Sequence, residues 1–390
     1  MPKNPHSPIV IFLLLVGAIA IGLFSFGLWR VFHHHTEVVA ALSYREQMYN
    51  REKEIVSAHD GLDMGKFSDE GKRLLVSGVM LHPYRWYSIP ENFKGQYFTT
   101  DKYGYRTNGR AGQQPGGTRI GFFGGSTGFS VLTDDAHTIP ALLEKGLKNQ
   151  DAFVKNFAIG GYSSTTELIT FIEVTRRHPM KIALFYDGVN EISRYAEYLQ
   201  DGSTAPYYET MGYPYIGSFR DSITNLPGYS PGPSALIVPQ RSAALPPLKY
   251  VSIDKIITPE SVDAYADKII DLYIDNVHDI AALAKSHGIV PVFFWQPDIY
   301  ATKKKLTDEE KFILDEHPGY KLLAEAVHRK AMHLGERADM KDIHYYDISS
   351  AFDHLGPDAH FYDFCHVDSE ANRLAAEAIL DRIRSLMKEP

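Results

Sequence analysis

A hydroxyl nucleophile, an imidazole base and a carboxylate to orient it can together run acyl transfer, and this chain offers each in a suitable context. Ser126 sits in Phe122-Phe123-Gly124-Gly125-Ser126-Thr127, directly after an apolar run that reads as a strand. Two glycines before it let the backbone turn sharply and present the hydroxyl at the carboxyl edge of a sheet. Far downstream, Asp363-Phe364-Cys365-His366 spaces a carboxylate and an imidazole three residues apart. One turn of chain then sets Asp363 beside Nδ1 and leaves Nε2 for Ser126. Between them lie Asn156-Phe157-Ala158-Ile159-Gly160-Gly161 and Asp187-Gly188-Val189-Asn190-Glu191, which supply candidate donors for a developing oxyanion. Each piece alone has a plainer reading. Gly-Gly-Ser-Thr also suits a strand-to-helix cap, Asp-x-x-His a surface hydrogen bond, and Gly161 and Asn190 ordinary turns. All four in one chain favour a catalytic site. Cys365 reads as a small buried residue, since the hydroxyl has the better context for attack.

In order and context these blocks resemble the SGNH (GDSL-type) hydrolases, over roughly residues 118 to 387. The resemblance implies a flavodoxin-like three-layer α/β/α fold with a mostly parallel five-stranded sheet. It implies Ser126 as nucleophile, His366 as base and Asp363 as its orienting acid. The oxyanion hole would be the Ser126 amide, the Gly161 amide and the Asn190 side chain. No metal or organic cofactor is implied. The family's first block reads Gly-Asp-Ser-Leu where this chain has Gly124-Gly125-Ser126-Thr127, a departure that keeps the nucleophile. The implied activity is hydrolysis of an O-acyl ester, especially an O-acetylated carbohydrate, or of another small ester. The same residues would serve an O-acetyltransferase of exopolysaccharide or cell-wall modification, fed by a membrane-bound acyl-donor partner. A third reading is a non-catalytic glycan-binding or assembly protein that keeps the fold.

The elements that must position these residues are set by composition and pattern. The chain has 390 residues, 44% hydrophobic and 23% charged, so it can bury a sizeable core and is neither disordered nor fibrous. A net charge of -8 without a dense Lys/Arg run gives no footprint for nucleic acid. One cysteine excludes an intrachain disulfide and a Cys-rich zinc site. Residues 1–8 form a tail, and Ile9 to Trp29 is an uncharged stretch of about 21 residues, roughly 31 Å as a helix and long enough to cross a bilayer. It reads as a retained transmembrane anchor of residues 9–29 with Trp29 and Arg30 at the interface. The catalytic domain is expected in the periplasm or outside the cell, as in anchored relatives. The positive-inside count does not favour that side, because Arg30, Arg45, Arg51 and Lys53 oppose Lys3 and the terminal amine. His33, His34 and His35 are consecutive, cannot converge on a metal from one helix, and read as a solvated juxtamembrane patch.

Residues 30–80 read as a charged helical stalk, 81–117 as an extension with short strands, and 118–387 as the hydrolase domain. Five apolar runs predict its sheet: Arg119 to Phe123, Val154 to Ala158, Ile182 to Tyr186, Val290 to Trp295 and Ile343 to Tyr346. Helices are predicted over His137 to Leu147, Ser164 to Arg177, Ser261 to Ser286, Asp308 to Leu334 and Ser369 to Met387. Alternation of the two predicts a parallel sheet covered on both faces. Residues 200–258, rich in proline and tyrosine, break the alternation as an insertion, either a lid whose tyrosines face sugar rings or a unit packed on itself. Asp187 and Glu191 suggest a glycosidase carboxylate pair only weakly, since neighbouring acids on one loop need not span a glycosidic bond. Gln296-Pro297-Asp298 falls at the sheet's carboxyl edge, where Asp298 either touches substrate or caps a loop.

Overall fold

The computed structural model describes residues 62–75, 80–109, 117–200 and 252–388. The expected tail 1–8, the anchor 9–29, the His33 to His35 triplet, the stalk up to residue 61 and insertion residues 201–251 lie outside the described residues. Among the described residues no helix is long and apolar enough to cross a membrane.

In chain order the elements are α1 (Met64–Leu75), the strands β1 (Met80–His82) and β2 (Trp86–Ser88), β3 (Thr118–Gly124), α2 (Ser126–Phe129), α3 (Ile139–Gly146), β4 (Ala152–Asn156), α4 (Ser164–Thr175), β5 (Ile182–Asp187) and α5 (Val189–Gln200). There follow α6 (Ile253–Ile256), α7 (Val262–Ser286), β6 (Val290–Trp295), α8 (Asp308–Glu316), α9 (Pro318–Ala331), β7 (His344–Asp347) and α10 (Ser369–Ile383). β1 and β2 form an antiparallel hairpin. The other five strands make one parallel sheet in the order β4-β3-β5-β6-β7.

That order places a switch point between β3 and β5, because the chain leaves β3 toward one sheet edge and β5 toward the other. Open α/β sheets bind ligands outside the carboxyl ends of strands at such a point. Ser126 follows β3 and Asn190 follows β5, so topology alone sets both beside that crevice.

Successive strand residues face opposite layers, which is why the strands are apolar throughout. Phe123, Phe185 and Phe293 stack across three strands, at 4.8 Å and 5.1 Å between ring centroids, beneath the helices α4, α7 and α9. Phe122, Leu184 and Phe294 face the other layer, with α3, α10 and α1. Edge strand β4 is blunted by side chains: Glu144 accepts from the Val154 amide (3.2 Å), and Asn108 donates to its carbonyl (2.8 Å).

Several boundaries differ from the sequence expectation. The helix predicted over Asp308 to Leu334 is two helices, because Pro318 has no N–H to give and clashes with the preceding turn. Pro318 instead opens α9 at its first position. The last helix stops at Ile383, followed by a single 3-10 turn. Asp187 to Glu191, read as a loop, is the end of a strand and the start of α5, whose Ile192, Tyr195 and Ala196 are buried at helical spacing. Helix α1, closing the 30–80 stretch, docks on the domain. Phe67 lies 5.0 Å from Phe98, and the Glu70 carboxylate accepts from the amides of Gln96 (2.7 Å), Tyr97 (2.9 Å) and Phe98 (3.3 Å).

Candidate active site

Ser126 is the first residue of α2, a four-residue helix opening directly behind β3. The far end of that turn is held by Arg106, a fully buried guanidinium that spends every N–H. It donates to the carbonyls of Phe129 (2.7 Å), Ser130 (2.8 Å), Thr133 (2.6 Å) and Tyr97 (3.3 Å) and to Asp135 (2.7 Å). Beside Ser126, the Thr127 hydroxyl donates to Gln296 Oε1 (2.5 Å) at the end of β6.

Asp363 and His366 lie on a loop closed by the bridge between Phe361 and Val367. Two buried devices fix it. On one side Glu310, paired with Lys304 at 2.6 Å, accepts from the amides of His360 (2.9 Å) and Phe361 (3.2 Å). On the other, Asp368 caps α10 through the Ala371 amide (3.0 Å) and holds His360 Nδ1 at 2.8 Å.

The loop delivers His366 to Ser126 across 240 residues of sequence: the Ser126 hydroxyl donates to Nε2 at 2.6 Å. Nδ1–H donates to Asp363 Oδ2 at 2.6 Å, while Oδ1 accepts from the amides of Cys365 and His366, each at 2.8 Å. Burial alone would lower the imidazole pKa, but the Asp363 charge and hydrogen bond more than offset it, so His366 is raised above its ordinary value. Burial alone would raise Asp363. The His366 charge and the hydrogen bonds from His366 and the two amides hold it below the usual carboxylate range. Cys365 is buried, and burial together with Asp363 and Asp298 pushes its thiol well up, so it stays protonated and inert. Asp363, Cys365 and His366 are the one group among the described residues close enough to share a metal ion, and the hydrogen bond between Asp363 Oδ2 and His366 Nδ1 engages two of its three members.

The remaining blocks converge on the same place. Gly161 has φ +73, a left-handed conformation that favours glycine. Asn190, on the first turn of α5, donates one amide hydrogen to the Tyr162 carbonyl (2.7 Å). Its amide nitrogen lies where a Cβ on Gly125 would have to stand, so a side chain there would displace it. The second Asn190 amide hydrogen is uncommitted among the described residues. One face of α5 therefore bridges the turns that carry Ser126 and Gly161.

Other sequence candidates are structural. Glu191 is buried and accepts from the amides of Ser164 (2.6 Å) and Gly188 (2.7 Å), joining the starts of α4 and α5. Asp187 is buried against Glu167 and the Tyr273 hydroxyl (3.4 Å), so neither acid is placed as a glycosidase pair would require. Asp298 is buried and caps its own loop through the amides of Tyr300 (2.9 Å) and Ala301 (3.1 Å), with His328 Nε2 at 2.8 Å. Sequence reading missed Arg106, Glu310 and Arg194. Of these only Arg194 left a signal, standing one helical turn after Asn190.

No protein-family model matches this chain, and no curated protein does. Among solved structures, a member of the lipolytic protein G-D-S-L family from Veillonella parvula is 11% identical, with 68% of this chain and 97% of that chain covered and a TM-score of 0.38. A catalytic mutant of an acetylxylan esterase from Geobacillus stearothermophilus is 13% identical, with 69% and 96% covered and a TM-score of 0.38. An alpha/beta hydrolase enzyme from the metagenome of Lake Arreo, Spain, is 12% identical, with 70% and 98% covered and a TM-score of 0.35. Likeness at this level carries no inference about chemistry, which rests on the chain's own residues.

Proposed function

We propose that the chain is a serine esterase of the SGNH type, acting on an O-acyl ester, in particular an O-acetylated carbohydrate. The single observation that carries this reading is the relay of two 2.6 Å hydrogen bonds from Ser126 through His366 to Asp363. Nε2 takes the Ser126 proton as Oγ bonds to the ester carbonyl carbon, and the Asp363 carboxylate stabilises the imidazolium that forms. Oxyanion charge falls to the Ser126 and Gly161 amides and the free Asn190 amide hydrogen. The carbon–oxygen bond to the alcohol then breaks, and His366 returns its proton to the leaving oxygen. Water, deprotonated by the same imidazole, attacks the acyl-enzyme and releases the acid. The carbohydrate assignment draws on the family resemblance, the apolar stretch at 9–29 and the aromatic insertion. We read that stretch as a bilayer anchor and the domain as lying outside the cytoplasm.

The test is to incubate residues 62–390 with an aryl acetate, with and without oligosaccharide acceptors, following free acetate and acetylated sugar. Free acetate that disappears with Ser126→Ala supports the esterase, and acetyl moving mainly to sugar makes the protein a transferase through the same acyl-enzyme. Neither product, or full activity in Ser126→Ala, refutes the mechanism. The anchor is tested separately by fractionation: full-length protein staying in the supernatant after membranes are pelleted would remove it.

A further inference from the structure

Gly160 and Gly161 are consecutive glycines in the turn that would aim an amide at the oxyanion, and the turn's own bond, from the Tyr162 amide to the Ile159 carbonyl (3.2 Å), is a thin restraint for two glycines in series. A second restraint comes from α5. Arg194 Nε and Nη2 both donate to the Gly161 carbonyl, at 3.2 Å and 3.0 Å, and Asn190, one turn earlier, donates to the next carbonyl, Tyr162, at 2.7 Å. Arg194 is no surface side chain: it is only 10% exposed, although Glu197, which takes its Nη1 at 2.8 Å, is 55% exposed. Its Nη2 fills the space a Cβ on Gly161 would need, with the Tyr87 hydroxyl 2.8 Å from that same position.

We propose that Arg194 is a positioning residue for the oxyanion hole: by fixing the Gly161 carbonyl it restrains the backbone rotation at Gly161 and so steadies the turn that carries the Gly161 amide. The effect is on the transition state, because the amide is needed only when the carbonyl oxygen gains charge. This rests on the esterase reading for its kinetic consequence, but the lock itself is a property of the folded chain.

The experiment compares wild type with Arg194→Ala, Arg194→Lys and Glu197→Ala. With aryl acetate, Arg194→Ala should lower kcat about tenfold to a hundredfold, below the full loss of an oxyanion donor, with KM changed less than about threefold. The rate of inactivation by a fluorophosphonate should fall in parallel, since its phosphoryl oxygen occupies the same hole. Lysine cannot make the forked bond, so Arg194→Lys should not restore the rate, whereas added guanidinium ion should partly rescue Arg194→Ala. Glu197→Ala should keep wild-type kcat. Independently of any activity, the Gly161 amide signal in a 15N-labelled sample should broaden or split in Arg194→Ala and stay sharp in Glu197→Ala. Overturning results are an unchanged Gly161 signal, wild-type kcat in Arg194→Ala, or loss of kcat and KM together with the thermal midpoint and no response to guanidinium. A wild type that neither turns over nor is labelled would refute the esterase and leave the amide signal to decide the lock.

Discussion

At the scale of single residues, the proposed chemistry turns on His366 being neutral and correctly oriented when substrate arrives. Asp363 raises the imidazole above its ordinary 6.5, so kcat/KM should climb with pH through a midpoint above that value. Asp363→Asn removes the charge and favours the wrong tautomer. It should move the midpoint to lower pH and cost about four orders of magnitude in kcat, read from a pH–rate profile. Asn190→Ala should lower kcat by roughly two to three orders with little change in KM, as expected for a donor used only in the transition state. That Ser126, His366 and Asp363 would meet was legible in the sequence, because each stands in a recognisable local turn; their roles and those of Gly161 and Asn190 belong to the proposal. The contacts of Arg194 and Arg106 were not legible. Most of the Arg106 bonds, and the Arg194 fork onto Gly161, go to backbone carbonyls, which leave no trace in the residue letters beyond the spacing of Arg194 from Asn190.

At the scale of elements, the site is assembled by switch-point topology and by loops pinned from outside. Asp368 joins the two, capping α10 while holding His360. Asp368→Ala should cost about 1 to 3 kcal/mol in urea unfolding, from the lost cap and an orphaned buried partner, and should slow turnover by loosening the His366 loop. The five strands were legible because a parallel strand covered on both faces is apolar at every position, as in Ile182–Asp187. Helix ends were less so. The pattern from Asp308 to Leu334 is continuous in hydrophobicity, and only the backbone chemistry of Pro318 divides it. α5 went unseen because its start coincides with Gly188 to Asn190, which read as a turn. The docking of α1 depends on Glu70 meeting three amides more than twenty residues downstream, a contact that local periodicity cannot report.

At the scale of the whole molecule, one stored cost lies behind the crevice. Burial first, then the Asp187 charge, raise Glu167 well above its ordinary 4.5. The folded state therefore holds a proton that the unfolded chain releases, and stability must fall as pH rises from about 4.5 through the folded value. Glu167→Gln removes that penalty and should raise the thermal midpoint more at pH 8 than at pH 5, measured by calorimetry at both. The same fold that tolerates this buried acid brings residues 126 and 366 together from distant parts of the chain, and on that meeting the proposed enzyme depends. The most direct test is to treat the protein with a fluorophosphonate probe and locate the adduct by mass spectrometry, alongside His366→Ala. Labelling at Ser126 in the wild type, lost or slowed at least a hundredfold in His366→Ala, is the predicted result. Labelling at another residue, none at all, or an equal rate in the variant would contradict it.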